Sequence, residues 1–216
     1  MTQVGFEDDG SGNLQLADEE FHQAVFPDLT IMPRQGRSVV LKNVKFIDCE
    51  VRPGTCVITS DVVLDSVVFS NLDCGDSLTI SSKVRFRRVI VAGDRPVSLV
   101  VQPESEGDLV VQSPDNDDFQ LDVSRFNGSV CVIGLPGSKI VKDSSRHVLV
   151  NASWKTDVDW KTLRIGPFSY WRILLKKLSV FNASEGVFSL PLSTDKNYAE
   201  TIDEMKRMEN AGVCVR

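Results

Sequence analysis

Three stretches decide the fold: Ser38-Val39-Val40-Leu41-Lys42-Asn43-Val44-Lys45-Phe46, Asp61-Val62-Val63-Leu64-Asp65-Ser66-Val67-Val68-Phe69 and Lys83-Val84-Arg85-Phe86-Arg87-Arg88-Val89-Ile90-Val91. Superposed, they bring Val39, Val62 and Val84 together, then Leu41, Leu64 and Phe86, then Val44, Val67 and Val89, then Phe46, Phe69 and Val91. The offsets are 23 and 22 residues. Each copy leads to a further valine-rich run, at Cys56–Ser60, Leu78–Ser82 and Leu99–Val101. Alternating, β-branched segments of this length separated by polar turns are strand signals. A helix-pair repeat needs about 33 residues or more, so a period near 22 predicts one coil of a β-solenoid instead. Within a unit the apolar positions advance by five, as in Leu41, Phe46, Val51 and Cys56, with Val39, Val44 and Cys49 two residues before the first three. Short strands with a corner after each would produce that spacing. The central expectation is a single buried ladder of Val44, Val67 and Val89.

Val39-Val40-Leu41-Lys42-Asn43, Val44-Lys45-Phe46-Ile47-Asp48, Cys49-Glu50-Val51-Arg52-Pro53 and Gly54-Thr55-Cys56-Val57-Ile58 resemble consecutive pentapeptide repeats. The frame extends back through Leu29 and Ala24 to Leu14, although Glu19 and Arg34 fall in apolar slots. The resemblance covers residues 14–101 and implies a right-handed, four-sided parallel β-helix that acts through its surface. The family's Asp or Asn at the second position is absent and two- or three-residue insertions break the frame, which keeps a three-sided β-helix open as well.

Beyond residue 102 the period blurs, yet Leu109–Val111, Phe119–Val123, Val130–Ile133 and His147–Val150 still resemble strands, with Pro114–Asp118 as a protruding acidic loop. From Trp154 onward helix-forming residues increase. Apolar spacing predicts one helix in Tyr170–Leu178 and another from Asp195 to Asn210, with Tyr198, Ile202, Met205 and Met208 on one face and Gly212 as its stop. The expected organisation is mainly β: an acidic leader at 1–13, a β-helix at 14–153, and a helical capping region at 154–216 that closes the open solenoid end.

The chain has 216 residues, 42% hydrophobic and 25% charged, which excludes a disordered or collagen-like protein and gives ample length for a core. Its five cysteines are odd in number, contain no C-x-x-C pair and fit buried thiols better than disulfides or zinc. Met1–Asp9 has neither the basic start of a secretory signal nor an arginine-rich presequence, so the expected location is the cytoplasm. Net charge is −6, unevenly spread. Residues 1–33 carry seven carboxylates and no Lys or Arg, and residues 96–124 repeat that pattern, whereas bases cluster at 83–95 and 155–177. The sign disfavours nucleic acid as a direct ligand and favours a basic protein partner.

No catalytic, cofactor or metal constellation is evident. His22 and His147 stand alone, no P-loop is present, and no strand–turn–helix nucleophile context exists. Cys56 and Cys74 fall in inward slots, where a thiol is inert. A carboxylate pair for glycan cleavage could come from Asp48 with Asp73, or from Asp115, Asp117 and Asp118. The expected function is non-enzymatic protein binding, with Glu104, Glu106, Asp108, Asp115, Asp117, Asp118 and Asp122 as the partner-binding surface. An immunity protein (antitoxin) that neutralises a basic toxin or nuclease is its concrete form. The alternatives are a DNA-mimicking, topoisomerase-binding pentapeptide protein, against which Arg85, Arg87 and Arg88 count, and a carbohydrate-active β-helix. A membrane role is not expected. Homodimer formation through the aromatic carboxy-terminal region would suit each reading.

Overall fold

The computed structural model describes residues 5–8, 10, 12–33, 36–105 and 118–213. Its chain winds as a parallel β-solenoid with four stacks of short strands. The first stack holds β2 (Leu14–Ala17), β5 (Val39–Lys42), β9 (Val62–Asp65) and β12 (Arg85–Arg87), preceded by β1 (Glu7–Asp8), which pairs antiparallel with β2. The second holds β3 (Glu20–His22), β6 (Lys45–Ile47), β10 (Val68–Ser70), β13 (Val89–Ala92), β15 (Leu121–Asp122) and β17 (Ile140–Val141). The third is narrow, with β4 (Val25–Phe26), β7 (Glu50–Val51) and a bridge from Glu50 to Asp73. The fourth begins with β8 (Cys56–Ile58), β11 (Ser77–Ser81), β14 (Ser98–Gln102) and β16 (Ser129–Ile133).

Register follows the repeat. Leu16, Leu41, Leu64 and Phe86 are successive partners in the first stack, and Phe21, Phe46, Phe69 and Val91 in the second. The step shortens from 25 residues to 23 and then 22 along both rows. Phe46 stacks on Phe21 and Phe69 with centroids 5.3 and 5.5 Å apart, close to the roughly 4.8 Å strand spacing. Val44, Val67 and Val89 are fully buried, and Val68 N–H to Val44 and Ile90 N–H to Val67 put them in one ladder, as the repeat requires. The frame also holds in the first coil, where Glu19 occupies the slot of Val44 and is exposed.

Corners are stacked too. Asp18, Asn43, Ser66 and Arg88 turn the chain after the first stack, and Gln23, Asp48, Asn71 and Gly93 after the second, all with φ between 50° and 91°. Left-handed backbone every five residues changes the direction of the chain while the inward row continues. Side chains bridge one corner to the next: Asn43 donates to Asp18 at 2.9 Å and Asn71 to Asp48 at 3.1 Å. Asp48 thus sits at a corner and accepts from Asn71, while Asp73 bridges Glu50 in the third stack, so the two carboxylates occupy different stacks.

One feature of the carboxy-terminal region differs from expectation. β18 (His147–Asn151) does not stack on β16 as a further rung. A strand from later in the chain, β19 (Glu185–Ser189), lies between them, antiparallel to both. Val187 on β19 joins the solenoid core, and Leu149 on β18 packs against it, so this pair closes the last rung. The helices α1 (Trp154–Asp157), α2 (Tyr170–Val180) and α3 (Tyr198–Asn210) follow in the carboxy-terminal region, as expected, and pack on the other side of the same strands. Ile133, Val148, Val150 and Phe188 meet Trp154, Trp171, Leu178 and Met205 in a second core. Period-2 alternation accounts for both cores: neighbouring side chains on these strands point to opposite layers.

Candidate functional site

The sequence-predicted acidic surface is only partly within the described residues: Glu106, Asp108, Asp115 and Asp117 lie outside them, and so does the 109–111 run. Glu104 follows β14, and its carboxylate accepts the Ser60 N–H at 2.8 Å, tying two coils together. Asp122, on β15 in another stack, accepts from the N–H and hydroxyl of Ser124 at 2.9 and 2.7 Å. Asp118 is exposed. Glu104 and Asp122 thus hold backbone in place on different faces.

A better-formed concavity lies where the solenoid meets the helical layer. An open cleft of about 930 Å³ has one wall from the corners at Asp94–Val97 and Asn127–Ser129 and the other from the Leu190–Asn197 connection, with Tyr170 between. The solenoid wall is rigid for visible reasons. Asn127 donates to Asp94 at 2.8 Å, and the Arg146 guanidinium donates to the carbonyls of Phe126 and Asn127 and to the Asn127 side chain. Gly128 is required there, since a Cβ would sit 2.7 Å from the carbonyl oxygens of Pro96 and Val97. On the other wall the Asp195 carboxylate accepts the Leu192 N–H at 2.8 Å, and the Tyr170 hydroxyl donates to the Ser189 carbonyl. Burial pushes the Tyr170 phenol well up, so it stays protonated. Val97 and Leu192 remain more than half exposed on opposite walls.

Tyr170 and Asn197 also line a second depression of about 320 Å³ between α2 and α3. Its walls are Phe168, Ile173 and Tyr170, and its carboxylates are Glu200 and Glu204. Glu204 is only 2% exposed, because Thr201, Glu204, Met205 and Met208 form the inward stripe of α3. Burial, and then the neighbouring Glu200, raise its carboxyl above the usual range. The flank of α2 around Trp160 is basic instead, with Arg172 5.5 Å from the Trp160 ring and Lys155 and Lys176 beside it.

The sequence reading missed both depressions. Residues 94–97, 127–129, 170 and 190–198 are far apart in the chain, and only the insertion of β19 brings them together. A weak signal existed in Glu204, an acid at helical spacing from Thr201 and Met208.

Among the described residues no group of three or more His, Cys, Asp or Glu could hold a metal ion, and no helix is long and apolar enough to cross a membrane. Cys49, Cys56 and Cys74 are free and buried. The hydrogen bond with Cys74, and then burial, push the Cys56 thiol well up. His147 is fully buried with neither ring nitrogen hydrogen-bonded. Comparison of the chain with protein-family models, curated proteins and solved structures finds no match in any of the three.

Proposed function

We propose that the protein is a non-catalytic recognition module for a basic protein partner, of the kind an immunity protein provides against a toxin or nuclease. One observation carries this reading: the two adjoining depressions at the solenoid–helix junction, whose combined lining holds four carboxylates and two arginines. The larger cleft sets Asp94 and Asp195 against Arg95 and Arg146, and the depression adjoining it through Tyr170 and Asn197 adds Glu200 and Glu204 with no base in its lining. Exposed Val97, Leu192 and Phe168 add apolar area next to those carboxylates, a combination suited to a protein surface. A rigid solenoid wall limits the ordering cost of binding. The four strand stacks and five-residue faces support a degenerate pentapeptide-like, right-handed coil as the scaffold, and the fit of a cytoplasmic setting rests on the free cysteines.

The test is capture of the partner from the source cell by the tagged protein, with the Asp94→Lys/Asp195→Lys variant alongside. The captured protein should be basic and should be lost at about 0.5 M salt, where screening acts within a few ångströms. The double reversal should abolish capture while the melting temperature moves by no more than a few degrees. An acidic partner, or capture indifferent to the reversal, would reject the reading. Turnover of a glycan would favour the carbohydrate-active alternative instead.

A further inference from the structure

The depression between α2 and α3 contains a carboxylate that no hydrogen bond or ion pair holds among the described residues. It belongs to Glu204, which is 2% exposed. Arg207, one turn on, attracts it at a distance but makes its direct contacts elsewhere: it donates to the Leu163 and Arg164 carbonyls and pairs with Asp203 at 3.2 Å. Glu200, one turn earlier, adds a second negative charge to the same lining. An unpaired buried carboxylate is costly unless it is protonated or a cation arrives. Around it the walls are apolar and aromatic, from Phe168, Tyr170 and Ile173, and Phe168 is 83% exposed, so its ring is accessible from solvent.

We propose that this slot receives an arginine or lysine side chain of the partner, its aliphatic stem along Phe168 and Ile173 and its cationic head between Glu200 and Glu204. The assignment rests on the reading of the partner as basic. The raised Glu204 carboxyl fits it, since desolvation and a like charge are what an incoming cation would relieve. Arginine and aromatic anchors in desolvated pockets dominate interface energetics, and one such slot beside a larger cleft is the arrangement expected of a hot spot.

Agmatine, a guanidinium on a four-carbon stem that ends in an ammonium, is the direct probe, and N-butylurea is an uncharged analogue of its guanidinium end. Trp171 donates to the Thr201 carbonyl at 3.4 Å, and Thr201 lines the slot, so indole fluorescence can follow binding. Agmatine should bind saturably in the millimolar range and N-butylurea should not. Glu204→Gln should weaken agmatine at least tenfold and Glu200→Gln severalfold. Glu204→Gln should also melt no lower than the parent, because it removes a buried charge, which separates a lost site from a lost fold. No agmatine binding, equal binding of the urea, or an unaffected Glu204→Gln protein would overturn the slot. Partner capture that survives Glu204→Gln would overturn the anchor role alone. Agmatine binding in a protein that captures no basic partner would overturn the function proposed above and support the slot.

Discussion

His147 is the residue at which burial and chemistry conflict most. It begins β18, is fully buried, and neither ring nitrogen has a hydrogen-bond partner. Burial, and then nearby Arg146, lower its pKa to about 4 from a reference of 6.5. A histidine whose folded pKa is depressed is protonated first in the unfolded chain. Stability therefore falls as pH drops from 6.5 towards 4 and levels off below. The loss across that window is on the order of 3 kcal/mol, at about 1.4 kcal/mol per unit. His147→Leu should remove this component. In urea titrations at pH 7 and pH 4.5, the difference in unfolding free energy between the two pH values should shrink by about 2 kcal/mol or more. An equal pH dependence in both proteins would locate the acid sensitivity elsewhere. The sequence shows a lone histidine in a strand, which is usually a surface or satisfied residue. Its burial could not be inferred, because it depends on β19 covering β18.

At the scale of single elements, strands and corners have separate causes. Inward rows were legible because they need only apolar side chains at a fixed step, and Leu41, Phe46, Val51 and Cys56 announce it. Phe46→Ala would remove the middle of the Phe21–Phe46–Phe69 stack and should cost about 3–5 kcal/mol in urea unfolding. Corners were less legible, since Asp18, Asn43, Ser66 and Arg88 share a backbone conformation but no side-chain type. Asn71 shows what a corner side chain contributes. Its φ is 50°, its side chain donates to Asp48, and its Oδ1 accepts the Asp94 N–H at 2.8 Å. That bond exists because Gly93 has no Cβ: one there would lie 2.0 Å from Asn71 Oδ1. Asn71→Ala loses the bonds and strains the backbone, whereas Asn71→Gly loses only the bonds. The alanine variant should be less stable than wild type by about 2 kcal/mol and the glycine variant by about 1 kcal/mol. Equal losses would show that the left-handed backbone is not what strains the corner.

Across the whole molecule, one late strand couples two cores. β19 pairs with β16 on one edge and β18 on the other, placing Val187 in the solenoid core and Phe188 in the helical one. The strand was not anticipated because Glu185-Gly186-Val187-Phe188-Ser189 is only five residues between two helical patterns, too short for alternation to stand out. Its position also forms the candidate groove, whose wall at Leu190–Asn197 starts where β19 ends. A solenoid joined to an independent cap would unfold in steps, as repeat proteins can. Here the three tryptophans (Trp154, Trp160 and Trp171) all report on the helical core, while far-UV circular dichroism is dominated by the strands of the solenoid. Because β19 spans both layers, the two signals should give coincident denaturation midpoints. Gly186 is where this coupling can be broken: a Cβ there would meet Val132 O and Phe188 at 2.9 Å and Leu178 at 3.0 Å. Gly186→Val should therefore separate the transitions, with fluorescence lost first as the helical layer detaches, and should weaken partner capture along with the groove. Two distinct midpoints in the parent protein would show instead that the layers fold independently, and that the groove depends on more than this strand.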